Sequence, residues 1–291
     1  MDRLDLNALG KINLGLDVLG KRENGYHDVR MVMQSVYVYD RICVEKKREA
    51  GIELSTNLGY LPVNENNLAY KAARLLMDEF SVQEGVKINL EKHIPVAAGM
   101  AGGSSDAAAI LHGLNRMFEL CLSKEDLMKR GVELGADVPY CIMRGTALAE
   151  GIGEVLTPLP RIPKCFALIA KPSIIVSTKT VYEKLDALEI VDHPDIDGII
   201  EGLNQGDLDE ICACMGNVLE KVTIEDYPVI EEIKNVMKEN GAINAMMSGS
   251  GPTVFGIYKE RKQAKAAGEK IRALGLAKQL YVTNMHNARR S

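Results

Sequence analysis

Alternation is the first regularity along the chain. Ile12, Leu14, Leu16 and Val18 alternate with Asn13, Gly15 and Asp17, which predicts a half-buried strand with Lys11 and Asn13 on its polar side. Further strand-like segments fall at about 32–39 and 41–45, and Val86, Ile88 and Leu90 alternate against Lys87, Asn89 and Glu91. Leu68, Ala72, Leu75, Leu76 and Phe80 recur at the helical period and predict a helix over about 67–80. Ala107, Ile110, Leu111, Leu114 and Phe118 define a second helix. Ser123, with Asp126 three residues later, has the form of a capping box opening a third, and Gly135 is placed to stop it.

Pro158, Pro160 and Pro163 lie within six residues and mark the candidate boundary. Beyond it the pattern predicts a strand at 166–170 and helices around 197–221 and 228–239, the last stopped by Asn240-Gly241. A strand at 253–258, a helix at about 260–273 and a strand at about 279–285 follow. Strands and helices mix in both halves without a regular βαβ rhythm. The expected class is α+β in two domains, 1–157 and 163–291, in keeping with roughly 150 residues per domain.

Composition narrows the function classes. Apolar residues make up 46% and charged residues 26% of the 291, which excludes disorder and collagen-like structure. No apolar run approaches the ~20 residues that span a bilayer, so no membrane partner is expected. The segment from Met1 to Asp5 has neither an apolar signal core nor transit character, which points to a bacterial cytoplasmic protein. The net charge of −5 and the absence of Trp argue against nucleic acid as a partner. Six cysteines without a Cys-x-x-Cys pair argue against a disulfide framework or zinc, and each is expected to be a small buried hydrophobe.

The strongest chemical signal is the small-residue run Pro95-Val96-Ala97-Ala98-Gly99-Met100-Ala101-Gly102-Gly103-Ser104-Ser105 between a strand and a helix. Missing side chains let backbone N–H groups approach an anion, and the helix mouth adds unpaired donors and its positive dipole end. Ser104 and Ser105 are expected to cap that first turn. The run is neither a Walker A loop nor a dinucleotide fingerprint. A second glycine-rich stretch, Ser248-Gly249-Ser250-Gly251-Pro252-Thr253, reads equally as a tight turn into a strand. Asp137, between Gly135 and Pro139, is held on a short, stiff segment as a candidate and reads also as a helix N-cap or a solvated acid; Lys11, on the polar side of its strand, reads also as a plain surface lysine. Gly25-Tyr26-His27 is a hairpin turn carrying an aromatic ring and a two-sided hydrogen-bonder.

Taken in order, Lys11-Ile12-Asn13-Leu14, Gly25-Tyr26-His27, the 95–105 run, the 134–139 segment and the 248–253 stretch resemble the motifs of the GHMP kinase superfamily. The resemblance implies an N-terminal ribosomal-S5-like domain and a C-terminal ferredoxin-like domain, with ATP and substrate in the cleft between. Gly-Tyr-His and Leu-Gly-Ala-Asp-Val-Pro are similar to the branch that phosphorylates the C2 hydroxyl of a diphosphocytidyl-linked methylerythritol in the non-mevalonate isoprenoid pathway. It implies Asp137 as general base and Lys11 as its partner. The 95–105 loop would enclose the triphosphate, and Gly249, Ser250 and Gly251 would close over it. Tyr26 and Tyr182 would sandwich a cytosine ring, His27 would bond its polar edge, and Asn13 would lie near the reacting sugar. Mg²⁺ is expected with ATP, without an evident ligand set, and the chain is expected to be a monomer or homodimer. A homoserine- or mevalonate-type kinase, or a noncatalytic nucleotide- or RNA-binding module on an S5-like scaffold, are the alternatives.

Two departures stand out. Leu9-Gly10 precedes Lys11 where the superfamily usually shows Pro-Ala. Ala97, Ala98 and Ala101 stand where many relatives have glycine. Alanine keeps the backbone N–H, so phosphate binding is expected to persist if all three have negative φ.

Overall fold

The structure, a computed structural model, describes residues 1–188 and 192–288. The chain folds into two compact units, one of Met1–Gly10, Val38–Val96 and Ala101–Met143, the other of Lys11–Tyr37, Ala97–Met100 and Arg144–Ser291. The division runs through two long strands and through the 95–105 loop.

The first part of the chain forms β1 (Arg3–Lys21), β2 (His27–Lys47), β3 (Ile52–Thr56), α1 (Leu68–Glu79), β4 (Gly85–Glu91), α2 (Gly102–Met117), α3 (Lys124–Leu134) and α4 (Val138–Met143). In the first unit, residues 41–47 of β2 pair antiparallel with β4, and β4 pairs parallel with β3. Helices α1 and α2 pack together, and both bury small residues, Ala69, Ala72 and Ala73 on one and Ala107, Ala108 and Ala109 on the other. The capping box at α3 is present in both bonds, Ser123 accepting from the Asp126 N–H and the Asp126 carboxylate accepting from the Ser123 N–H. Such a cap contributes about 1 kcal/mol.

The remainder forms β5 (Thr146–Glu150), β6 (Val155–Pro158), β7 (Phe166–Lys171), α5 (Thr178–Leu185), α6 (Ile196–Gln205), α7 (Leu208–Cys214), β8 (Gly216–Asn217), α8 (Glu220–Asp226), α9 (Val229–Glu239), β9 (Asn244–Met247), β10 (Val254–Tyr258), α10 (Arg261–Ala273) and β11 (Gln279–Asn284). The second unit holds a four-stranded antiparallel sheet, ordered β11-β7-β10-β9, against which α9 and α10 pack. Residues 31–34 of β2 pair with β5, β5 pairs with β6, and Gly15-Leu16 of β1 pairs parallel with β8.

Four expectations change. The segments at 32–39 and 41–45 are one strand, β2. Strand β1 is not half-buried: residues 8–18 are all buried, because α6 covers its polar parity, where a Cβ on Gly15 would lie 2.6 Å from Ile196 and Ile199. The helix expected over 197–221 breaks at Gly206, whose φ of 69° is left-handed; Asp207 then caps α7 by accepting from two N–H groups. Finally, Cys121 is exposed and Cys43 and Cys214 half-buried, whereas Cys141, Cys165 and Cys212 are buried. Burial pushes the Cys165 and Cys212 thiols up to about 12, far from the thiolate that reacts. Among the described residues no helix is long and apolar enough to cross a membrane.

Candidate active site

Lys11, Asn13, Tyr26, His27, Tyr182 and the 248–253 turn lie in the second unit, together with residues 97–100 of the first glycine-rich run. Lys11 is buried rather than a surface lysine; its ammonium donates to Asn13 Oδ1 at 2.8 Å and its backbone N–H to Met100 O at 3.1 Å. The β1 parity puts both side chains on one face, so the lysine is aimed by its neighbour two residues on. At Gly99 the two turns touch backbone to backbone: Ser248 Oγ donates to Gly99 O at 2.9 Å, and a Cβ on Gly99 would lie 2.0 Å from Ser248 O. Asn217, from β8, donates to Met247 O at 2.9 Å and to Gly249 O at 2.8 Å. Gly249 and Gly251 have φ of 58° and 88°, which side chains resist. The Ser250 hydroxyl lies 2.7 Å from that of Thr178 at the start of α5.

Gly25, at φ 84°, turns β1 into β2 and leaves Tyr26 58% exposed. His27 lies against Tyr182 of α5, ring centroids 4.6 Å apart and planes tilted by 36°, and its Nε2 lies 2.7 Å from Asp186 Oδ1. Hydrogen bonds from Lys21 and then from His27 hold the Asp186 carboxyl below its ordinary range. An ionised carboxylate only accepts, so Nε2 carries the proton. Asp186, which follows α5, has no mark in the sequence beyond its nearness to Tyr182.

In the first unit, α2 starts from Ala101 in the left-handed region without a side-chain cap. Ser104 and Ser105 therefore sit inside the first turn and do not cap it. Ser105 Oγ donates to Leu9 O at 2.6 Å, so position 9 contributes a carbonyl that any residue supplies. Ser104 faces the turn that carries Asp137, since a Cβ on Gly135 would lie 3.9 Å from Ser104 Oγ. Asp137 is half-buried just ahead of α4, and its carbonyl accepts from Cys141 N at 3.0 Å. Pro95 and Val96 connect β4 to the loop.

The condition on the alanines fails for two of the three. Ala97 and Ala101 have φ of 49° and 55°, and Gly99 between them 72°, whereas Ala98 is not left-handed. Alternation of φ sign turns successive N–H groups to one side, the backbone pattern of an anion-binding nest. The two alanines make this shape at a cost of about 1 kcal/mol each.

Missing from the sequence reading is a buried ionic cluster. Lys92, Asp40 and Asp106 are 8%, 0% and 2% exposed. The Lys92 ammonium donates to Asp40 Oδ2, and to Asp106 Oδ2 at 2.6 Å. Asp40 Oδ1 accepts from His93 N at 2.5 Å and Ile94 N at 2.7 Å. A signal existed. Asp40 falls on the apolar parity of Val36, Val38, Ile42 and Val44, and Lys92 on that of Val86, Ile88 and Leu90. Opposite charges on two buried parities call for each other.

Residues 67–145 match the family model for GHMP kinases N terminal domain, and residues 199–276 that for GHMP kinases C terminal. A homoserine kinase structure from Cytophaga hutchinsonii superposes with a TM-score of 0.80 at 19% identity, over 97% of this chain and 95% of its own, and so shares the fold. The class is therefore the two-module, ATP-dependent small-molecule kinases of the GHMP type. A structure of 4-(cytidine 5'-diphospho)-2C-methyl-D-erythritol kinase superposes with a TM-score of 0.84 at 31% identity, over 98% of this chain and all of its own. The 4-diphosphocytidyl-2-C-methyl-D-erythritol kinase of Lachnospira eligens is 60% identical over 97% of this chain and 98% of its own length. That of Lachnoclostridium phytofermentans is 54% identical over 99% of both. The chain belongs to this kinase family.

Proposed function

We propose that the enzyme transfers the γ-phosphoryl of ATP to the C2 hydroxyl of 4-diphosphocytidyl-2-C-methyl-D-erythritol, a step of the non-mevalonate isoprenoid pathway. The observation that carries this reading is the 60% identity, over almost the whole chain, to a kinase of that name. The substrate oxygen forms a bond to the γ-phosphorus, the bond to the β–γ bridging oxygen breaks, and ADP leaves. In this reading Asp137 takes the hydroxyl proton and Lys11 offsets charge at the reacting oxygen. Phosphoryl transfer of this kind is mostly positioning and charge stabilisation. The φ alternation over 97–101 supports the 95–105 loop as the triphosphate seat, with Gly249, Ser250 and Gly251 completing it. Tyr26, His27 and Tyr182 take the cytosine, and Asn13 the sugar end. Among the described residues no group of three or more His, Cys, Asp or Glu could hold a metal ion; Mg²⁺ in this reading is bound with the triphosphate, phosphate and water making up most of its shell. The division into 1–157 and 163–291 belongs to the same proposal.

The test is Asp137→Asn. Loss of a general base costs about 10²–10⁴-fold in kcat, and the variant is expected to fold and to bind ATP as the parent does. Near-normal turnover would remove Asp137 from the role. Failure of the parent to phosphorylate the cytidyl substrate would remove the substrate assignment.

A further inference from the structure

The buried cluster of Lys92, Asp40 and Asp106 lies at both ends of the 95–105 loop. Asp40, from the middle of β2, accepts from the N–H groups of His93 and Ile94, the last two residues before the loop. Asp106 lies in the opening turns of α2, immediately after it. Lys92 reaches both carboxyls, and its Nζ would lie 3.3 Å from a Cβ on Gly102 at the helix mouth. One ammonium thus joins the strand that enters the loop to the helix that leaves it.

We propose that Lys92, Asp40 and Asp106 are positioning residues for ATP: they fix the entrance and exit of the phosphate loop relative to each other, and ATP affinity depends on the Lys92–Asp106 bond. This rests on the reading that the 95–105 loop holds the triphosphate.

Charge explains why the cluster is three groups and not two. Burial opposes the charge on Lys92, but Asp106 and Asp40 outweigh it and hold its ammonium above the ordinary lysine range. Burial, opposed by Lys92 and assisted by Asp40, pushes the Asp106 carboxyl well above the usual carboxyl range. A proton on Asp106 leaves one ammonium against one carboxylate. A hydrogen bond between the Asp106 and Asp40 carboxyls gives that proton an acceptor. A neutral Asp106 keeps Oδ2 as the acceptor for Lys92 while adding no negative charge to the approach of a triphosphate.

Two substitutions in the full chain separate the bond from mere packing. Asp106→Ala leaves Lys92 and Asp40 as a balanced pair but cuts the tie to α2. Asp106→Asn keeps an acceptor for Lys92 in the neutral form. Displacing reacting or binding groups by about 1 Å can cost about 100-fold. Asp106→Ala is expected to weaken ATP binding about 10–100-fold by calorimetric titration, with the KM for the second substrate unchanged. Asp106→Asn is expected to stay within about threefold of the parent.

A pH series adds a readout that packing alone does not move. The charged groups facing Asp106 are Lys92 and Asp40. A carboxyl raised in the folded state loses stability as pH rises above its unfolded value and through its folded one. The thermal midpoint of Asp106→Asn should therefore gain on the parent as pH rises through that window. Hydrogen exchange of the parent with and without ATP checks the underlying reading. If ATP fails to protect the amides of 96–105, the loop is not the seat of the triphosphate. If it protects them and Asp106→Ala binds ATP normally, the brace is wrong. An Asp106→Asn variant as weak as Asp106→Ala, or with a pH profile parallel to the parent, overturns the neutral acceptor.

Discussion

The two glycine-rich turns are held by different means. The ends of the 95–105 loop are fixed by a buried ionic cluster, with Lys92 between Asp40 and Asp106. The 248–251 turn is fixed mostly by neutral groups, the Asn217 amide on Met247 O and Gly249 O and the Ser250–Thr178 hydroxyl pair, with one carboxylate oxygen, Glu220 Oε1, accepting from Met247 N just ahead of it. Within such a cluster, removal of Lys92 or of Asp40 leaves an uncompensated buried ion. An amide bonded to two carbonyls loses less and responds little to pH or salt. The first loop is therefore fixed by charge that couples to protonation, the second turn mainly by dipoles, with a single carboxylate at its edge.

The sharpest way to break the comparison is at the point where the turns touch. Gly99 has φ 72°, and an added Cβ would meet Ser248 O at 2.0 Å. Gly99→Ala should destabilise the enzyme by roughly 2–4 kcal/mol from strain and overpacking together, read by denaturant unfolding. Gly103, whose Cβ would meet only Leu68 Cδ1 at 3.5 Å, is the control: Gly103→Ala should stabilise the helix by about 0.5–1 kcal/mol. Equal losses at both positions would mean that contact at Gly99 is not what holds the turns.

Asn217→Ala should cost about 1–3 kcal/mol by leaving two buried carbonyls unpaired. Its loss should be the same across the pH series in which Asp106→Asn and the parent diverge, as measured by thermal unfolding. A pH-dependent loss would erase the distinction between the two turns. The smallest effect is at Ala101, where φ is 55°. Ala101→Gly should gain about 0.5 kcal/mol, the relief of strain exceeding the added freedom of the unfolded chain. A loss there would show that the methyl contributes packing worth more than the strain.

The sequence carries its local signals wherever the physics is local. The β4 alternation, the extents of α1 and α10 and the Ser123–Asp126 capping box depend on neighbours within four residues. The run of small residues over 95–105 marks a segment where backbone comes close to backbone, as it does at Gly99 and Ser248. Its hand did not follow, because the left-handed backbone of Ala97 and Ala101 is imposed by what the loop connects. Lys11 looked like a surface residue because parity alone assigns polar positions to solvent. Packing of α6 on β1 buried that parity, and Asn13 and His193 then supplied partners for Lys11 and Asp17.

The amino-acid sequence by itself determined the periods, the caps, the breaks at glycine and proline, and the motif order that marks a GHMP kinase. Those depend on backbone sterics and on hydrogen bonds between near neighbours, which any context preserves. Only the tertiary structure decided which charges met. Asp40 and Lys92 are separated by 52 residues and Lys92 and Asp106 by 14, and His27 lies 159 from Asp186. A charge on a buried parity demands a partner, but the chain must close before one partner can be told from another, since electrostatic attraction carries no sequence address.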